Sequence, residues 1–312
     1  MQRFAGIDIG ASTTRVGLLD ETGCIVAKTT SRTSPKDVMG PIYKALSRFD
    51  EFKGIGICSA GTLSEDGRAI VRMSNTSTWN LKIVDLVEKR FDVPVILFND
   101  CVAALLAERF VGDGRDSKNL AYLTLSTGVG AAVIDNDRLV FGKDGNAREI
   151  GHSKIAYDSK LRCACGGYGC VESFIGGKSM GRAVRYLRKT KFRDGKSLLD
   201  ETDKTTAESF FAIARKDRVA REICQEIGKI LAITVANVNT LYDPEKVIIG
   251  GSVMRAHKKL LLGQISKWMP AYTVNRLPKV LVTRLGDDIS LIGAGIGAIR
   301  RDWVEESFLP RR

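Results

Sequence analysis

Short apolar runs alternate with amphipathic segments along the chain, and this alternation predicts strands joined by helices. Residues 3–28 form the pattern of a strand, a small-residue turn at Gly10–Thr14, a second strand, an acidic turn and a third strand. Buried strands are predicted at Gly54–Ser59 and Val93–Phe98, and helical periodicity predicts helices over 36–49, 83–91, 102–110, 174–190, 206–217 and 219–242. An exposed turn at 64–67 and a polar loop at 73–80 lie between them. The pattern is typical of the α/β class, with mostly parallel sheets.

The opening pattern returns at residue 120. The run L-A-Y-L-T-L-S-T-G-V-G-A-A-V-I-D-N-D-R-L-V again predicts strand, small-residue turn, strand, acidic turn and strand, at close to the spacing of residues 4–26. A repeat of this length indicates duplication of a domain rather than a solenoid period. We therefore expect an N-terminal lobe of residues 1–115 and a C-terminal lobe of residues 116–297. The helix at about 298–312 is a candidate to pack back on the first lobe.

Composition narrows the class of protein. The 312 residues are 44% hydrophobic, as in soluble globular proteins, and no apolar run approaches the roughly 20 residues of a membrane span. The first three residues run directly into a strand, so we expect no signal peptide. Cys24, Cys58, Cys101 and Cys224 lie scattered in apolar contexts, which favours reduced core residues over disulfide partners. These features predict a cytoplasmic protein.

The net charge of +12 raises the question of a nucleic-acid partner. The basic residues are spread along the chain, and no aromatic residues interleave with the densest runs as they would on a base-stacking surface. The run at 182–196 is predicted to be the solvated face of a helix, with attraction of anionic substrates as the alternative. We expect neither a nucleic-acid nor a membrane partner.

Two small, hydroxyl-bearing turns follow strands in the duplicated halves, at Gly10–Thr14 and Ser126–Gly130. Such turns direct backbone N–H groups and hydroxyls at an anion, and a duplicated pair predicts a polyphosphate clamp. A third turn, Gly250–Ser252, follows another strand, and a fourth, Gly293–Gly297, is predicted to open the last helix. Neither of these two has the lysine or spacing of a P-loop, and the acidic residue expected of a dinucleotide-binding motif is missing.

Two aspartates stand where predicted strands end. Asp8, at the first turn, is either a turn cap or a residue that reaches a magnesium ion held by phosphates. Asp100 ends one strand and begins a helix, so its carboxylate is either a helix N-cap or a base directed into a cleft. Asn99 beside it offers both a donor and an acceptor. Phosphoryl transfer needs little more than a positioned hydroxyl, a base, a metal and phosphate clamps.

The stretch from Glu149 to Glu172 predicts a metal site. It contains one of only two histidines and three of the seven cysteines, in a C-x-C-x4-C pattern with glycine filler. One imidazole and three thiolates form a tetrahedral zinc set, while chance clustering of cysteines is the alternative. The predicted ligands are His152, Cys163, Cys165 and Cys170. Four protein ligands leave no open position, so the zinc is predicted to be structural.

Several of these segments together resemble the ROK family, which contains sugar kinases and sugar-responsive repressors. The matching runs are D-I-G-A-S-T-T-R at 8–15, N-D at 99–100, S-T-G-V-G at 126–130, E-I-G-H at 149–152, C-A-C-G-G-Y-G-C-V-E at 163–172 and D-P-E-K-V-I-I-G-G at 243–251. The resemblance implies the fold shared by actin, hexokinase and Hsp70, with two ribonuclease-H-like lobes around a nucleotide-binding cleft. It also implies ATP, Mg²⁺ and a structural Zn²⁺ as cofactors, and a homodimer or homotetramer.

The resemblance also implies roles for individual residues. Asp100 is expected to be the general base that takes the proton from the sugar 6-hydroxyl. Sugar contacts are expected from Gly61, Thr62, Ser74, Asn75, Asn99, Asp100, Glu149, His152 and Glu172. ATP contacts are expected from Asp8, Ser12, Thr13, Arg15, Thr127, Gly128, Gly250 and Gly251.

The activity implied is ATP-dependent phosphorylation of a hexose or N-acetylhexosamine, with N-acetylmannosamine, N-acetylglucosamine and glucose as candidates. The run S-A-G-T at 59–62 replaces a proline-glycine pair of glucokinase-like members and resembles some N-acetylmannosamine kinases. The alternatives are a sugar-responsive transcriptional regulator and a non-catalytic sugar-binding protein. Only seven residues precede Asp8, which leaves no room there for a helix-turn-helix domain, so we expect a kinase.

Overall fold

The computed structural model describes residues 2–34, 36–73, 79–143, 145–202 and 204–307. The strands are β1 (Arg3–Ile9), β2 (Thr13–Asp20), β3 (Ile25–Arg32), β4 (Ile55–Ser59), β5 (Gly61–Leu63), β6 (Ile70–Met73), β7 (Trp79–Leu81), β8 (Val95–Asn99), β9 (Leu120–Leu125), β10 (Val129–Asp135), β11 (Arg138–Leu139), β12 (Lys246–Gly250) and β13 (Lys279–Val282). The α-helices are α1 (Met39–Leu46), α2 (Ile83–Phe91), α3 (Asp100–Phe110), α4 (Val171–Ile175), α5 (Met180–Thr190), α6 (Ala207–Ala214), α7 (Arg218–Tyr242), α8 (Ser252–Ala256), α9 (Lys258–Trp268), α10 (Ile289–Ile299) and α11 (Arg301–Glu306). Short 3₁₀ helices cover Ile150–His152, Leu198–Glu201, Met269–Ala271 and Gly286–Asp288.

The chain divides into two compact units. The first comprises Met1–Leu120, Ala132–Ala147 and Thr283–Arg312, and the second comprises Ala121–Ala131 and Arg148–Val282. The predicted lobes of 1–115 and 116–297 stay a prediction. None of the helices in the described ranges is long and apolar enough to span a lipid bilayer.

The first unit contains a five-stranded sheet in the order β3-β2-β1-β4-β8. Strand β1 pairs antiparallel with β2 and parallel with β4, which in turn is parallel to β8. The expectation of a mostly parallel sheet is wrong here, because β1, β2 and β3 are joined by short turns that force antiparallel neighbours. Because β1, β4 and β8 are parallel, their carboxyl ends lie at the same end of the sheet.

A second, three-stranded sheet, in the order β5-β6-β7, follows strand β4. The sequence pattern predicted only a turn and a polar loop there, and the predicted turn at 64–67 connects β5 to β6. These strands of three or four residues are too short to show a clear period of two, so tertiary pairing decides them. Gly61 is needed at the start of β5, because a Cβ there would lie 2.2 Å from the Arg72 carbonyl oxygen.

The sheet formed by the later strands has the order β11-β10-β9-β12-β13, which repeats the strand order of the first sheet. The first three strands of each sheet are consecutive in the chain, and two later strands complete the other side. The predicted internal duplication is therefore confirmed at the level of topology.

Helix α10 corrects the expectation that Gly293–Gly297 opens the last helix. The helix begins earlier, at Ile289, so the glycines lie within it. A Cβ on Gly293 would lie 1.6 Å from the Ala103 carbonyl oxygen of α3. On the sheet side, a Cβ on Gly56 of β4 would lie 1.7 Å from the Ala294 carbonyl oxygen. The small residues therefore let α10 approach α3 and the sheet, and they form no phosphate turn.

This packing predicts opposite effects for two helix glycines. We expect Gly293→Ala to lower the free energy of unfolding by about 1–3 kcal/mol, because the added methyl collides with the backbone of α3. Gly263 lies mid-helix in α9, where a Cβ would meet nothing within 4 Å. Gly263→Ala should therefore raise stability by about 0.5–1 kcal/mol through helix propensity. Urea unfolding of both variants measures this, and equal shifts would contradict the close packing of α10.

Candidate active site

The first small-residue turn connects β1 to β2. The Gly10 N–H donates to the Thr13 carbonyl at 3.0 Å. Thr33, which follows β3, also holds the turn: its hydroxyl donates to the Gly10 carbonyl and its N–H donates to the Ser12 carbonyl. Ser12 lies exposed at the tip, and Thr13 begins β2. The turn thus has the exposure and rigidity that an anion site needs.

Asp8 lies buried on β1, directly opposite Arg15 on β2. The Arg15 guanidinium donates to Asp8 Oδ2 at 2.9 Å, and the Cys58 thiol donates to Asp8 Oδ1 at 3.6 Å. Burial raises the pKa of the Asp8 carboxyl, against the opposing effect of Arg15. The turn-cap alternative is wrong, because both carboxylate oxygens bind side chains rather than the N–H groups of the turn.

Sequence reasoning missed the rest of this charge network. Arg15 Nε also lies 3.8 Å from Asp288 Oδ1, and Asp288 Oδ2 accepts from the Lys28 ammonium at 2.6 Å. Asp288 stands about 270 residues beyond the first turn in the chain, so no local signal could associate it with Arg15. Charges alternate along Asp8, Arg15, Asp288 and Lys28, so Arg15 is held between two carboxylates.

Asn99 and Asp100 stand where β8 ends and α3 begins. Asn99 is the N-cap of α3, since its Oδ1 accepts from the Cys101 N–H at 2.9 Å. The N-cap alternative for Asp100 is therefore wrong, because Asp100 is the first residue of the helix. Its Oδ1 also accepts from the Cys101 N–H at 2.9 Å, so the carboxylate lies at the N-terminus of α3.

The strand register brings several predicted site residues of the first unit together at the carboxyl ends of neighbouring strands. Asp8 pairs with Cys58 of β4, and Ser59, the next residue, pairs with Asn99 of β8. Asp8, Ser59 and Asn99 therefore lie at the carboxyl ends of the three adjacent parallel strands β1, β4 and β8, and Asp100 directly follows Asn99. Of the remaining expected sugar contacts in this part of the chain, Gly61 and Thr62 lie on β5, and Ser74 and Asn75 lie outside the described residues.

The second small-residue turn connects β9 to β10 in the second unit. Ser126 N–H donates to the Gly128 carbonyl at 3.0 Å, and the carbonyls of Ser126 and Thr127 accept from the N–H groups of Gly177 and Lys178. The turn at the end of β12 lies against it. Gly251 has a φ of 95° and so little room that a Cβ would lie 2.3 Å from the Leu125 carbonyl oxygen. The structure thus brings together the predicted ATP contacts Thr127, Gly128, Gly250 and Gly251.

The four predicted metal ligands meet in the second unit. Their ligand atoms all lie within 4.8 Å of one another. Cys165 Sγ and Cys170 Sγ are 3.7 Å apart, and Cys163 Sγ is 3.7 Å from His152 Nδ1. Around a tetrahedral Zn²⁺ with Zn–S of about 2.3 Å and Zn–N of about 2.0 Å, neighbouring ligand atoms lie about 3.5–3.8 Å apart. The donor set and its spacing fit a structural zinc ion.

Burial raises the pKa of the Cys163 thiol to about 12. A hydrogen bond from the Gly167 N–H is the main cause of the lowered pKa of Cys165. A bound divalent cation would hold both as thiolates.

His152 directs its two ring nitrogens to different neighbours. Nδ1 faces Cys163 in the metal cluster, while Nε2 lies 3.7 Å from Glu149 Oε2. Glu149 is half exposed. An imidazole that ligates a metal through Nδ1 carries its proton on Nε2, where it can donate to a carboxylate or a sugar hydroxyl.

Glu172 directly follows the metal loop, residues 153–171, and connects it to the second small-residue turn. It lies in the first turn of α4, two residues after Cys170, and its Oε2 accepts from the Val129 N–H at 3.0 Å. A Cβ on Gly128 would lie 2.5 Å from the same oxygen. The Glu172 side chain is thus held at the start of β10. The position of Glu172 in the sequence motif does not predict this contact.

Comparison with known proteins accounts for this combination of turns, strand ends and metal ligands. The model of the ROK family matches residues 4–300. The chain belongs to the ROK family. The glucokinase of Pyrobaculum calidifontis is 34% identical over 294 residues, which are 94% of each chain. The N-acetylglucosamine repressor of Escherichia coli O157:H7 is 27% identical over 267 residues, which are 82% of this chain and 65% of the repressor.

A solved ROK structure gives the same result for the fold. The ROK glucokinase of Streptomyces griseus, in complex with glucose and AMPPNP, superposes with a TM-score of 0.76 at 27% identity, over 95% of this chain and 99% of that chain. The predicted family and the predicted actin/hexokinase-like fold class are therefore confirmed. The motifs at 8–15 and 99–100 lie at the strand ends of the first unit, and the motif at 149–172 carries the metal cluster of the second unit.

Proposed function

We propose that this ROK protein is a sugar kinase that transfers the γ-phosphoryl group of ATP to the 6-hydroxyl of a hexose or N-acetylhexosamine, with Asp100 as the general base. The glucokinase relatives and the glucose and AMPPNP complex of the Streptomyces griseus enzyme support the kinase activity. One observation supports the role of Asp100. Asn99 is the N-cap, so the Asp100 carboxylate stands at the first position of the helix, where the strand ends, and can accept a hydroxyl proton.

The remaining site residues serve the phosphates and the metal ion. The turns around Ser12, Thr13, Thr127 and Gly128 and the glycines at 250 and 251 bind the nucleotide through backbone N–H groups and hydroxyls. Asp8 is the acid associated with Mg²⁺, and Arg15, which pairs with Asp8 and keeps a quarter of its side chain exposed, contacts a phosphate. Mg²⁺ supplies charge neutralisation on the transferred phosphoryl group.

The proposed sugar contacts lie near the strand ends of the first sheet and on either side of the metal loop. The proposed sugar contacts are Gly61, Thr62, Ser74, Asn75, Asn99, Glu149, His152 and Glu172. The Nδ1 position of His152 in the metal cluster supports this role, since it leaves Nε2 as a donor. Zn²⁺ is structural in this proposal and holds the loop that carries these side chains.

The substrates are one sugar and ATP, and glucose, N-acetylglucosamine and N-acetylmannosamine are the candidate sugars. Three further points stay predictions: the homodimeric or homotetrameric state, the cytoplasmic location and the lack of a nucleic-acid partner.

An ADP-release assay with a panel of hexoses and N-acetylhexosamines tests the proposal. We expect ATP- and Mg²⁺-dependent turnover with at least one of the three sugars, and ³¹P NMR of the product should show a 6-phosphate. Thermal stabilisation by a sugar without ADP release would favour the alternative of a non-catalytic sugar-binding protein. Sugar-dependent DNA binding without turnover would favour the regulator that the repressor relative represents.

A further inference from the structure

The metal loop of residues 153–171 is organised by backbone pairing. An isolated antiparallel bridge joins Lys154 to Cys170, and a second joins Arg162 to Tyr168. Around the first bridge, the Val171 N–H donates to the Ser153 carbonyl at 3.0 Å, and the Ile155 N–H donates to the Gly169 carbonyl at 2.9 Å. This pairing places the side chain of Lys154 directly beside Cys170.

Each of the three cysteine sulfurs accepts a hydrogen bond. Cys163 Sγ accepts from the backbone N–H of Cys165, and Cys165 Sγ accepts from the backbone N–H of Gly167. Cys170 Sγ accepts instead from the Lys154 ammonium, at 2.9 Å. Two of the donors are main-chain groups that any sequence with this turn supplies, whereas the third depends on the identity of residue 154.

Gly167 leaves the space that Lys154 occupies. A Cβ on Gly167 would lie 2.8 Å from Lys154 Nζ, and within 3.9 Å of the sulfurs of Cys165 and Cys170. The lysine side chain therefore reaches across a glycine to the sulfur cluster. Because the cluster contains Cys165, which is exposed, water and small reagents can approach this side of the metal site.

The contact between Lys154 and Cys170 matters because the two groups carry opposite charges when zinc is bound. Three thiolates and one neutral imidazole around Zn²⁺ leave one net negative charge, which the Lys154 ammonium balances at hydrogen-bond distance. A charged donor to a thiolate lowers the electron density that a competing proton or electrophile can attack. Loss of Cys170 from the metal is thereby disfavoured.

We propose that Lys154 is a positioning residue that retains the structural zinc ion, by donating to Cys170 Sγ and balancing the charge of the thiolate cluster. Through the metal it keeps His152 Nδ1 bound, and with it the orientation of Nε2 towards Glu149. The inference rests on the proposed zinc site and is independent of which sugar is the substrate.

Three variants of the full chain test this inference. Lys154→Met removes the charge at similar side-chain length, and Lys154→Arg keeps the charge. Lys160→Met is the control, because Lys160 is an exposed lysine of the same loop. Zinc content is measured on the purified proteins, and zinc transfer to a chromophoric chelator gives the release rate. We expect release from Lys154→Met to be about 10–100-fold faster than from the unchanged protein, the usual effect of removing a group that holds a metal ligand. Lys154→Arg and Lys160→Met should stay close to the unchanged protein.

Kinetics add a readout that a general loss of stability would not reproduce. In Lys154→Met, the KM for the sugar should rise without added zinc and return at saturating zinc, while the KM for ATP stays constant. Equal release rates for Lys154→Met and Lys160→Met would overturn the role of Lys154. If the purified chain holds zinc but phosphorylates no sugar, the proposed kinase activity is wrong, and the zinc-release test of Lys154 still applies. If the purified chain holds no zinc, both the metal site and the role of Lys154 are wrong.

Discussion

Asp100→Asn should retain sugar binding and lose phosphoryl transfer, with a kcat lower by about 10²–10⁴-fold. General base catalysis by a positioned side chain contributes a factor of that size. The asparagine side chain keeps the size and the carbonyl oxygen of the aspartate, so the hydrogen bond from the Cys101 N–H can persist. What it loses is the basicity that takes the proton from the sugar hydroxyl. Steady-state kinetics with the preferred sugar, together with sugar binding by calorimetry, measures both parts of this prediction.

The matched control is Asp92→Asn. Asp92 is an exposed residue that ends α2 in the left-handed conformation, with a φ of 51°, which asparagine also adopts readily. This variant makes the same chemical change away from the strand ends, and we expect unchanged kcat and KM. A kcat for Asp100→Asn above about a tenth of the unchanged value would exclude Asp100 as the essential base.

Cys165→Ala should abolish stoichiometric zinc binding and raise the KM for the sugar by more than about tenfold, with a smaller effect on the KM for ATP. Removing one of four ligands opens the tetrahedron, so the metal no longer holds the loop in place. The loop carries His152 on one side and leads into Glu172 on the other, so two expected sugar contacts lose their support. Zinc content by mass spectrometry and the separate KM values test this.

Cys24→Ala is the control for thiol removal, because Cys24 is exposed and lies outside the metal cluster. It should leave zinc content and both KM values unchanged. If Cys165→Ala bound one zinc ion per chain with an unchanged sugar KM, the zinc would not hold the sugar site.

The elements that sequence reasoning predicted well are those with a local cause. Helix α2 has the predicted limits, Ile83–Phe91, and α7 begins one residue before its predicted start, because apolar residues recur at helical spacing. The four predicted zinc ligands are brought together as their spacing predicts, since a C-x-C-x4-C segment can close only over a short distance. The paired turns follow from a repeat that is visible in the sequence.

The errors and omissions concern positions set by distant segments. Gly293–Gly297 has the composition of a turn, yet it lies within α10, because its small residues meet the carbonyl of Ala103 and the ring of Phe98. The strands of the β5-β6-β7 sheet are too short for a period to identify them. Asp288 reaches Arg15 only through the fold, and its distance along the chain hides it from any motif.

The sequence by itself determined the family and predicted the internal duplication, the candidate zinc ligands and the candidate base, because each depends on residue types at short, characteristic spacings. The tertiary structure alone decided how those groups are used. It assigned the N-cap of α3 to Asn99, held Asp8 between Arg15 and Cys58, directed His152 Nδ1 to the metal cluster, and put the Lys154 ammonium on Cys170 Sγ. These are hydrogen bonds and ion pairs whose partners are chosen by strand register and loop closure, and a linear pattern does not contain that geometry.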